Sequence, residues 1–119
     1  MDTKRAIGAL GALAQETRLA IFRLLVERGP RGLSAGAIAE ELELPASSLS
    51  FHLAQLHHAG LIAQQRQSRY LIYSVDFAAM NGLMGYLTEN CCGGNHALCA
   101  TPSQTAPGAK RNIRLRRTA

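Results

Sequence analysis

The sequence predicts a mainly α-helical domain with one small β-hairpin, arranged as a winged helix-turn-helix. Three observations support this fold class. Two short helical segments, at residues 35 to 42 or 43 and at about 46 to 59, are separated by little more than Leu44-Pro45, as in a helix-turn-helix. A hairpin rich in aromatic and β-branched residues follows at once, in the position of a wing. Apolar residues at helical spacing precede and follow this region, which predicts flanking helices.

Two helices are predicted before the helix-turn-helix, at residues 3–14 and 15–28. In the first helix, the apolar residues at helical spacing are Ile7, Leu10 and Leu13. In the second, Leu19, Phe22, Leu25 and Val26 are predicted to line one face, with Ile21 and Leu24 beside them. Charged side chains of this second helix, Arg18 among them, are expected to face solvent. Gly29-Pro30 is expected to end it.

The boundaries of the helix-turn-helix are marked by residues that cap or break helices. The hydroxyl of Ser34 can cap its first helix, in which Ile38 and Leu42 are expected to face inward. Pro45 disfavours helical geometry in the residue before it, and Gly60 is expected to end the second helix. The predicted buried stripe of that second helix is Leu49, Leu53 and Leu56. In this motif the second helix lies in the major groove of DNA, with its N-terminal residues at the base edges.

Six residues of the second helix are candidates for reading base edges. They are Ser47, Ser48, Ser50, Phe51, His52 and Gln55. Serine hydroxyls can donate or accept, glutamine can pair bidentately with adenine, and phenylalanine can contact a thymine methyl group. Helix capping is the alternative role of the first two serines. His57 and His58 are interpreted as surface residues or phosphate contacts.

The wing is predicted from two short β-forming segments. Its first strand is expected to begin with Leu61, Ile62 and Ala63, its second strand is expected at 69–75, and the polar tip is expected around 66–68. A wing tip commonly reaches the DNA backbone or the minor groove, so we expect Arg66 and Arg69 to contact phosphates. Arg31 is a further candidate, with an ordinary charged surface as the alternative.

The last helix is predicted at about 77–90, with Asp76 as its cap. Its apolar residues at helical spacing are Phe77, Met80, Leu83, Met84 and Leu87. Glu89 is its only ionised residue, so this helix must be buried, and a domain of this size offers few places to bury it. We therefore expect a homodimer formed through the first and last helices, with Ile7 and Leu10 also at the interface. Packing within one subunit is the alternative.

The charge is concentrated near the C-terminal end of the sequence. The net charge is +5, and five of the 13 basic residues are Lys110, Arg111, Arg114, Arg116 and Arg117. The other eight basic residues are balanced by all eight acids, so residues 1–109 are formally neutral. A basic tail can attract nucleic acid without reading its sequence, and a solvated tail without a binding role is equally compatible with this composition.

The composition divides the chain into three regions. We predict a DNA-binding and dimerisation domain at 1–92, a loop at 91–99 that contains all three cysteines, and a flexible basic tail at 100–119. No apolar run approaches the length of a membrane span, and we do not expect the N-terminal residues to form a signal peptide. These features predict a cytoplasmic protein that has no membrane partner.

The sequence resembles the ArsR/SmtB family of metal- and metalloid-responsive repressors. The resemblance rests on ALAQETRLAIFRLL, LSAGAIAEELELPASSLSFHLAQLHHAGLI and YLIYSV, and it covers roughly residues 9–90. It implies a homodimeric winged-helix repressor that binds an inverted-repeat operator in double-stranded DNA and leaves it when an inducer binds. Many arsenic sensors of the family carry cysteines in the helix before the recognition helix, but LSAGAIAEEL has none. The ENCC…C pattern resembles instead the branch whose thiolates lie near the C-terminus.

The three cysteines, which all lie between positions 91 and 99, suit a soft acceptor with three bonds. Thiolates select soft ions, and trivalent arsenic forms three bonds to sulfur. We predict that As(III) binds Cys91, Cys92 and Cys99 as the inducer, with Sb(III) as a second candidate and with no organic cofactor. Methylated arsenite would need only two of these thiols.

Two other chemistries stay open for the cysteine segment. His96 could add a nitrogen ligand and complete a four-ligand site for zinc or cadmium, although a solvent-exposed loop residue is the preferred interpretation. Exposed thiols could instead oxidise to a reversible disulfide, which would make the protein a redox sensor. We do not expect an enzyme, because the sequence has no phosphate-binding loop and no evident base that would activate a thiol.

Overall fold

A computed structural model describes residues 1–90 of the chain. Five α-helices, three β-strands and a 3-10 turn follow one another in this part. The helices are α1 (Thr3–Leu13), α2 (Glu16–Arg28), α3 (Ala35–Leu42), α4 (Ala46–His58) and α5 (Phe77–Leu87). The strands are β1 (Leu33–Ser34), β2 (Ile62–Gln67) and β3 (Tyr70–Val75), and the 3-10 turn is Gly29–Arg31. This order is that of a winged helix-turn-helix, as the sequence predicts.

Polar side chains cap four of these helices. The predicted caps Ser34 and Asp76 are both confirmed: the Ser34 hydroxyl accepts from the Ala37 backbone amide at 3.2 Å, and the Asp76 carboxylate accepts from the Ala79 amide at 3.0 Å. Asp2 and Gln15 cap α1 and α2 in the same way. Each of these bonds satisfies an amide that the helix itself leaves without an acceptor.

The core of residues 1–87 is built around the helix-turn-helix. Its fully buried large side chains are Ile21, Leu25, Ile38, Leu49, Leu56 and Leu61. The predicted leucine stripe of α4 is confirmed, because Leu53 is also only 3% exposed. The predicted face of α2 is partly wrong: Leu19 is 44% exposed, whereas Ile21 is fully buried. The apolar residues of α2 lie on several sides of the helix, so spacing alone could not select the face that packs inward.

The three strands form an antiparallel sheet in the order β1-β3-β2. Strand β1 was not predicted, because two residues are too short to show an alternating pattern. It is held by pairing of Leu33 with Tyr73 and of Ser34 with Ile72. Gly32 precedes it at φ +69°, where a Cβ atom would collide with the Tyr73 carbonyl oxygen. Glycine at this position therefore allows β1 to approach β3 closely.

The wing is longer than predicted. Strand β2 continues to Gln67, which pairs with Tyr70, so the tip is Ser68-Arg69 rather than 66–68. Ser68 adopts φ +60° in this tight turn. Residues 63–70 are all exposed, so the strand has no apolar alternation that would distinguish it from a loop in the sequence.

Helix α5 ends at Leu87, three residues before its predicted end, and a turn follows at 88–90. Its apolar spacing also stops at Leu87. Thr88 has low helix propensity, and the Glu89 carboxylate would lie unfavourably near the negative end of the helix dipole. No helix within residues 1–90 is long and apolar enough to cross a membrane.

Candidate nucleic-acid interface

Helix α4 has one buried face and one exposed face. Leu49, Leu53 and Leu56 attach the helix to the core, so its opposite face is held outward. The exposed residues on α4 include Ser47, Ser50, Phe51 and Gln55. The Phe51 side chain is 57% exposed and lies on this outward face. The exposed face thus combines hydroxyl, amide and aromatic groups, the set expected of a helix that reads base edges.

The two N-terminal serines of α4 differ in their surroundings. The cap position of α4 is Pro45, which makes no side-chain capping bond, so neither serine occupies it. The half-buried Ser48 donates its hydroxyl to the Pro45 carbonyl oxygen at 3.1 Å, whereas Ser47 is exposed. Ser47 is therefore better placed than Ser48 to contact a ligand.

His52 lies on the flank of α4 that faces α2. Its Nδ1 atom is 3.3 Å from Nη1 of Arg18, and its ring meets the Phe51 ring edge-on, with centroids 5.6 Å apart. The expectation that Arg18 faces solvent is wrong, because this side chain is partly buried and Nε donates to the Ala12 carbonyl oxygen at 2.7 Å. Helical spacing did not predict these contacts, although Arg18 lies in ALAQETRLAIFRLL, one of the segments on which the family resemblance rests.

The wing places two cations beside the helix-turn-helix. Arg66 and Arg69 are both exposed, and neither forms an ion pair within residues 1–90. They line one shallow groove together with Ser34 and Gly36, at the N-terminal end of α3. Two unpaired guanidinium groups in an exposed groove can bind phosphate oxygens.

Arg31 does not join this groove. It lies in the 3-10 turn and lines a separate cleft with Arg28, Gly32 and Leu33. Arg28 is itself paired with Glu41 at 2.7 Å. The structure therefore brings Arg66 and Arg69 together but leaves Arg31 apart from them.

A second groove runs between α4 and the wing. Ser50, Gln55, His57, Gln64 and Tyr73 contribute polar groups to it. Donors and acceptors from the helix and from the sheet thus lie side by side, and none of the described residues that line this groove carries a carboxylate. Such a lining is suited to a polyanion that also offers hydrogen-bonding groups.

The predicted dimer residues fall into two groups. On α1 and α5, four are exposed: Ile7 (64%), Leu10 (42%), Met84 (52%) and Leu87 (57%). Phe77 and Met80 are half-buried against the core, and Leu83 is 6% exposed, so these three contribute mainly to the packing of their own subunit. An apolar surface on α1 and α5 is therefore present, but it is smaller than the predicted set.

The predicted metalloid ligands Cys91, Cys92 and Cys99 lie outside the described residues, as do His96 and the basic tail. Within residues 1–90, no group of three His, Cys, Asp or Glu side chains could hold a metal ion.

Comparison with known proteins identifies the family. A helix-turn-helix domain family matches residues 13–65. The HTH-type transcriptional regulator YgaV of Escherichia coli K12 is 34% identical over 91 residues, which cover 76% of this chain and 90% of that protein. The transcriptional activator HlyU of Vibrio cholerae is 30% identical, covering 79% of this chain and 84% of HlyU. The chain belongs to the ArsR/HlyU family of helix-turn-helix transcriptional regulators.

Another similar protein of the ArsR/HlyU family is the arsenical resistance operon repressor of Bacillus subtilis, which is 33% identical over 81 residues, 68% of this chain and 73% of that protein. Among solved structures, an ArsR-like regulator from Rhodococcus superposes with a TM-score of 0.67 at 24% identity, covering 80% of this chain and 87% of its own. A homodimeric winged helix-turn-helix domain from Mycobacterium bovis superposes with a TM-score of 0.58 at 23% identity, covering 78% of this chain and 86% of its own. At these identities the two structures establish the fold.

Proposed function

We propose that this ArsR/HlyU regulator is a homodimeric repressor that binds an inverted-repeat operator and leaves it when As(III) binds Cys91, Cys92 and Cys99. The observation that supports DNA binding most strongly is the outward face of α4, held by a buried leucine stripe beside the unpaired wing arginines. A regulator of this family must present such a surface to DNA.

The two parts of the surface would have different tasks on DNA. The exposed residues of α4 would enter the major groove, where base edges differ between the four base pairs. Arg66 and Arg69 would contact the phosphate backbone, which positions the protein and contributes affinity without reading sequence. The groove between α4 and the wing would follow the strand between these contacts.

A homodimer would give the surface its two-fold symmetry. Exposed apolar side chains at Ile7, Leu10, Met84 and Leu87 are costly in water, and a second copy of the chain would cover them. The related domain from Mycobacterium bovis is a homodimer. Two recognition helices about 34–36 Å apart would then meet successive major grooves, which is why an inverted repeat is expected.

The inducer would act at the end of the helix that supports the dimer. Cys91 follows the last residue of α5 by four positions in the sequence. Three soft thiolates suit As(III), or Sb(III) as a second trivalent acceptor, and one relative is an arsenical resistance operon repressor. Ligand binding next to α5 would change the spacing of the two α4 helices and so oppose operator binding. Allosteric couplings of this kind are typically about 1–3 kcal/mol.

The experiment that tests this function begins with a random-sequence duplex library, from which the reduced wild-type protein selects its site. Fluorescence anisotropy on the selected duplex then follows binding during separate titrations with arsenite, with zinc and with peroxide. Selection of an inverted repeat and release by arsenite would support the proposal. Release by zinc alone would assign a site that includes His96, and release by peroxide alone would assign a thiol redox switch. Selection of no sequence would contradict the DNA-reading part.

A further inference from the structure

Arg18 connects three helices of the DNA-binding domain. Its backbone amide is bonded to the Gln15 side chain at the start of α2. Its Nε atom donates to the Ala12 carbonyl oxygen in the last turn of α1 at 2.7 Å, and its Nη1 atom lies 3.3 Å from Nδ1 of His52 on α4. Arg18 forms no ion pair within residues 1–90, so these hydrogen bonds are what orient its guanidinium group.

The contact between Arg18 and His52 decides which ring nitrogen carries the proton. A guanidinium group has five N–H donors and no acceptor, so Nδ1 of His52 must accept. A neutral imidazole that accepts at Nδ1 carries its hydrogen on Nε2. Nε2 has no hydrogen-bond partner within residues 1–90, and the edge-on contact with Phe51 restrains the ring from a second direction. His52 therefore presents a single, oriented donor.

We propose that Arg18 is a positioning residue that fixes His52 as a hydrogen-bond donor to an acceptor on a base edge: N7 of a purine, O6 of guanine or O4 of thymine. This inference rests on the proposed DNA-reading function of α4. A histidine that is free to exchange tautomers can either donate or accept. By occupying Nδ1, Arg18 removes the accepting form, so His52 discriminates against the amino groups of cytosine and adenine, which are donors in the major groove.

This role differs from that of an arginine that contacts phosphate. The wing arginines are exposed and unpaired, whereas the Arg18 side chain is partly buried and engaged at both Nε and Nη1. Arg18 should therefore contribute to sequence discrimination, while its substitution should leave the salt dependence of binding unchanged. A phosphate contact would contribute about 0.9 to the slope of log affinity against log salt.

The first test measures Arg18→Lys, Arg18→Met, His52→Phe and the double variant Arg18→Lys/His52→Phe. The probes are the duplex selected by the wild-type protein and a scrambled duplex, each at several salt concentrations. Lysine keeps the charge but not the fork of donors that reaches both Ala12 and His52. Both Arg18 variants should bind the selected duplex about 5- to 150-fold more weakly, the range of one base contact. Binding to the scrambled duplex and the salt slope should not change.

The double variant separates positioning from other effects. If Arg18 acts through His52, adding Arg18→Lys to His52→Phe should cause no further loss on the selected duplex. Equal losses of affinity on both duplexes, together with a smaller slope of log affinity against log salt, would show that Arg18 contacts phosphate and would overturn the proposal. If Arg18→Lys binds the selected duplex as tightly as the wild type, the proposal is overturned as well, because a positive charge at position 18 would then be enough for full affinity. Thermal melting of each variant checks that it is folded.

The second test does not involve DNA. Nitrogen-15 NMR of the imidazole rings at mildly alkaline pH reports which nitrogen is protonated. In the wild-type protein, the nitrogen-15 chemical shift of His52 Nδ1 should be that of a nitrogen that carries no proton. In Arg18→Lys, this chemical shift should move toward the value averaged over both tautomers. The exposed His57 serves as the internal reference for that averaged value. A proton on Nδ1 of His52 would refute the contact. If the wild-type protein selects no DNA sequence, the proposed function fails; if it does and Arg18→Lys matches it, only this inference fails.

Discussion

The hydroxyl groups of Thr3 and Tyr86 are hydrogen-bonded to each other, which links the first turn of α1 to the last turn of α5. This bond joins residues 83 positions apart in the sequence. It connects the two helices that carry Ile7, Leu10, Met84 and Leu87. These four exposed apolar side chains form the surface at which we place the partner subunit.

Leu10→Lys should break the dimer without unfolding the subunit. The Leu10 side chain is 42% exposed, so a lysine there can reach water in the monomer but would be buried against a partner in the dimer. Sedimentation velocity should show a shift to monomer, with a far-UV circular dichroism spectrum like that of the wild type. Leu19→Lys is the matched control, because Leu19 is 44% exposed but lies on α2. Equal dimerisation of both variants would contradict the proposed interface.

Arg66→Ala and Arg69→Ala should weaken DNA binding to the same extent on every sequence. Each variant removes one exposed, unpaired charge, so the salt slope should fall by about 0.9 for each substitution. Fluorescence anisotropy at several salt concentrations, on the selected and the scrambled duplex, measures both effects. Arg23→Ala is the control, since Arg23 is an exposed arginine of α2 far in sequence from the wing. A loss confined to the selected duplex would instead make the wing a reader of bases.

Gly32→Ala should destabilise the subunit by about 1–3 kcal/mol, the usual cost of a strained backbone position. A Cβ atom at φ +69° would collide with the Tyr73 carbonyl oxygen and push β1 away from β3. Gly36→Ala is the control, because a Cβ atom there meets nothing within 4 Å. Urea denaturation compares the two free energies of unfolding. Equal stability of both variants would show that β1 does not depend on this close approach.

Much of the fold could be predicted because its signals are local. The leucine stripe of α4 and the caps Ser34 and Asp76 need only neighbouring residues in the sequence, and all are confirmed. The length of the wing could not be predicted, because a solvated strand such as 63–67 shows no apolar alternation. Strand β1 depends on pairing with residues about 40 positions away, a contact that no local pattern encodes.

In the candidate site, too, features set by neighbouring residues could be predicted, whereas contacts between distant residues could not. Exposure of Ser47, Phe51 and Gln55 follows from the period of the buried leucine stripe of α4, so the sequence indicates this face of the helix. The contact between Arg18 and His52 depends on how α2 crosses α4, which spacing cannot specify. The cysteine ligands, and the domain boundaries at 92 and 99, lie outside the described residues and stay predictions.

The three-thiolate switch is tested by arsenite titration of the reduced protein bound to its selected duplex, with Cys99→Ser beside the wild type. We expect arsenite to lower the DNA affinity of the wild type by about 5- to 150-fold, the range of typical allosteric coupling. Cys99→Ser should bind the duplex as tightly as the wild type and should not respond, whereas His96→Ala should respond normally. Normal release of Cys99→Ser by arsenite, or no release of the wild type, would contradict the three-thiolate switch.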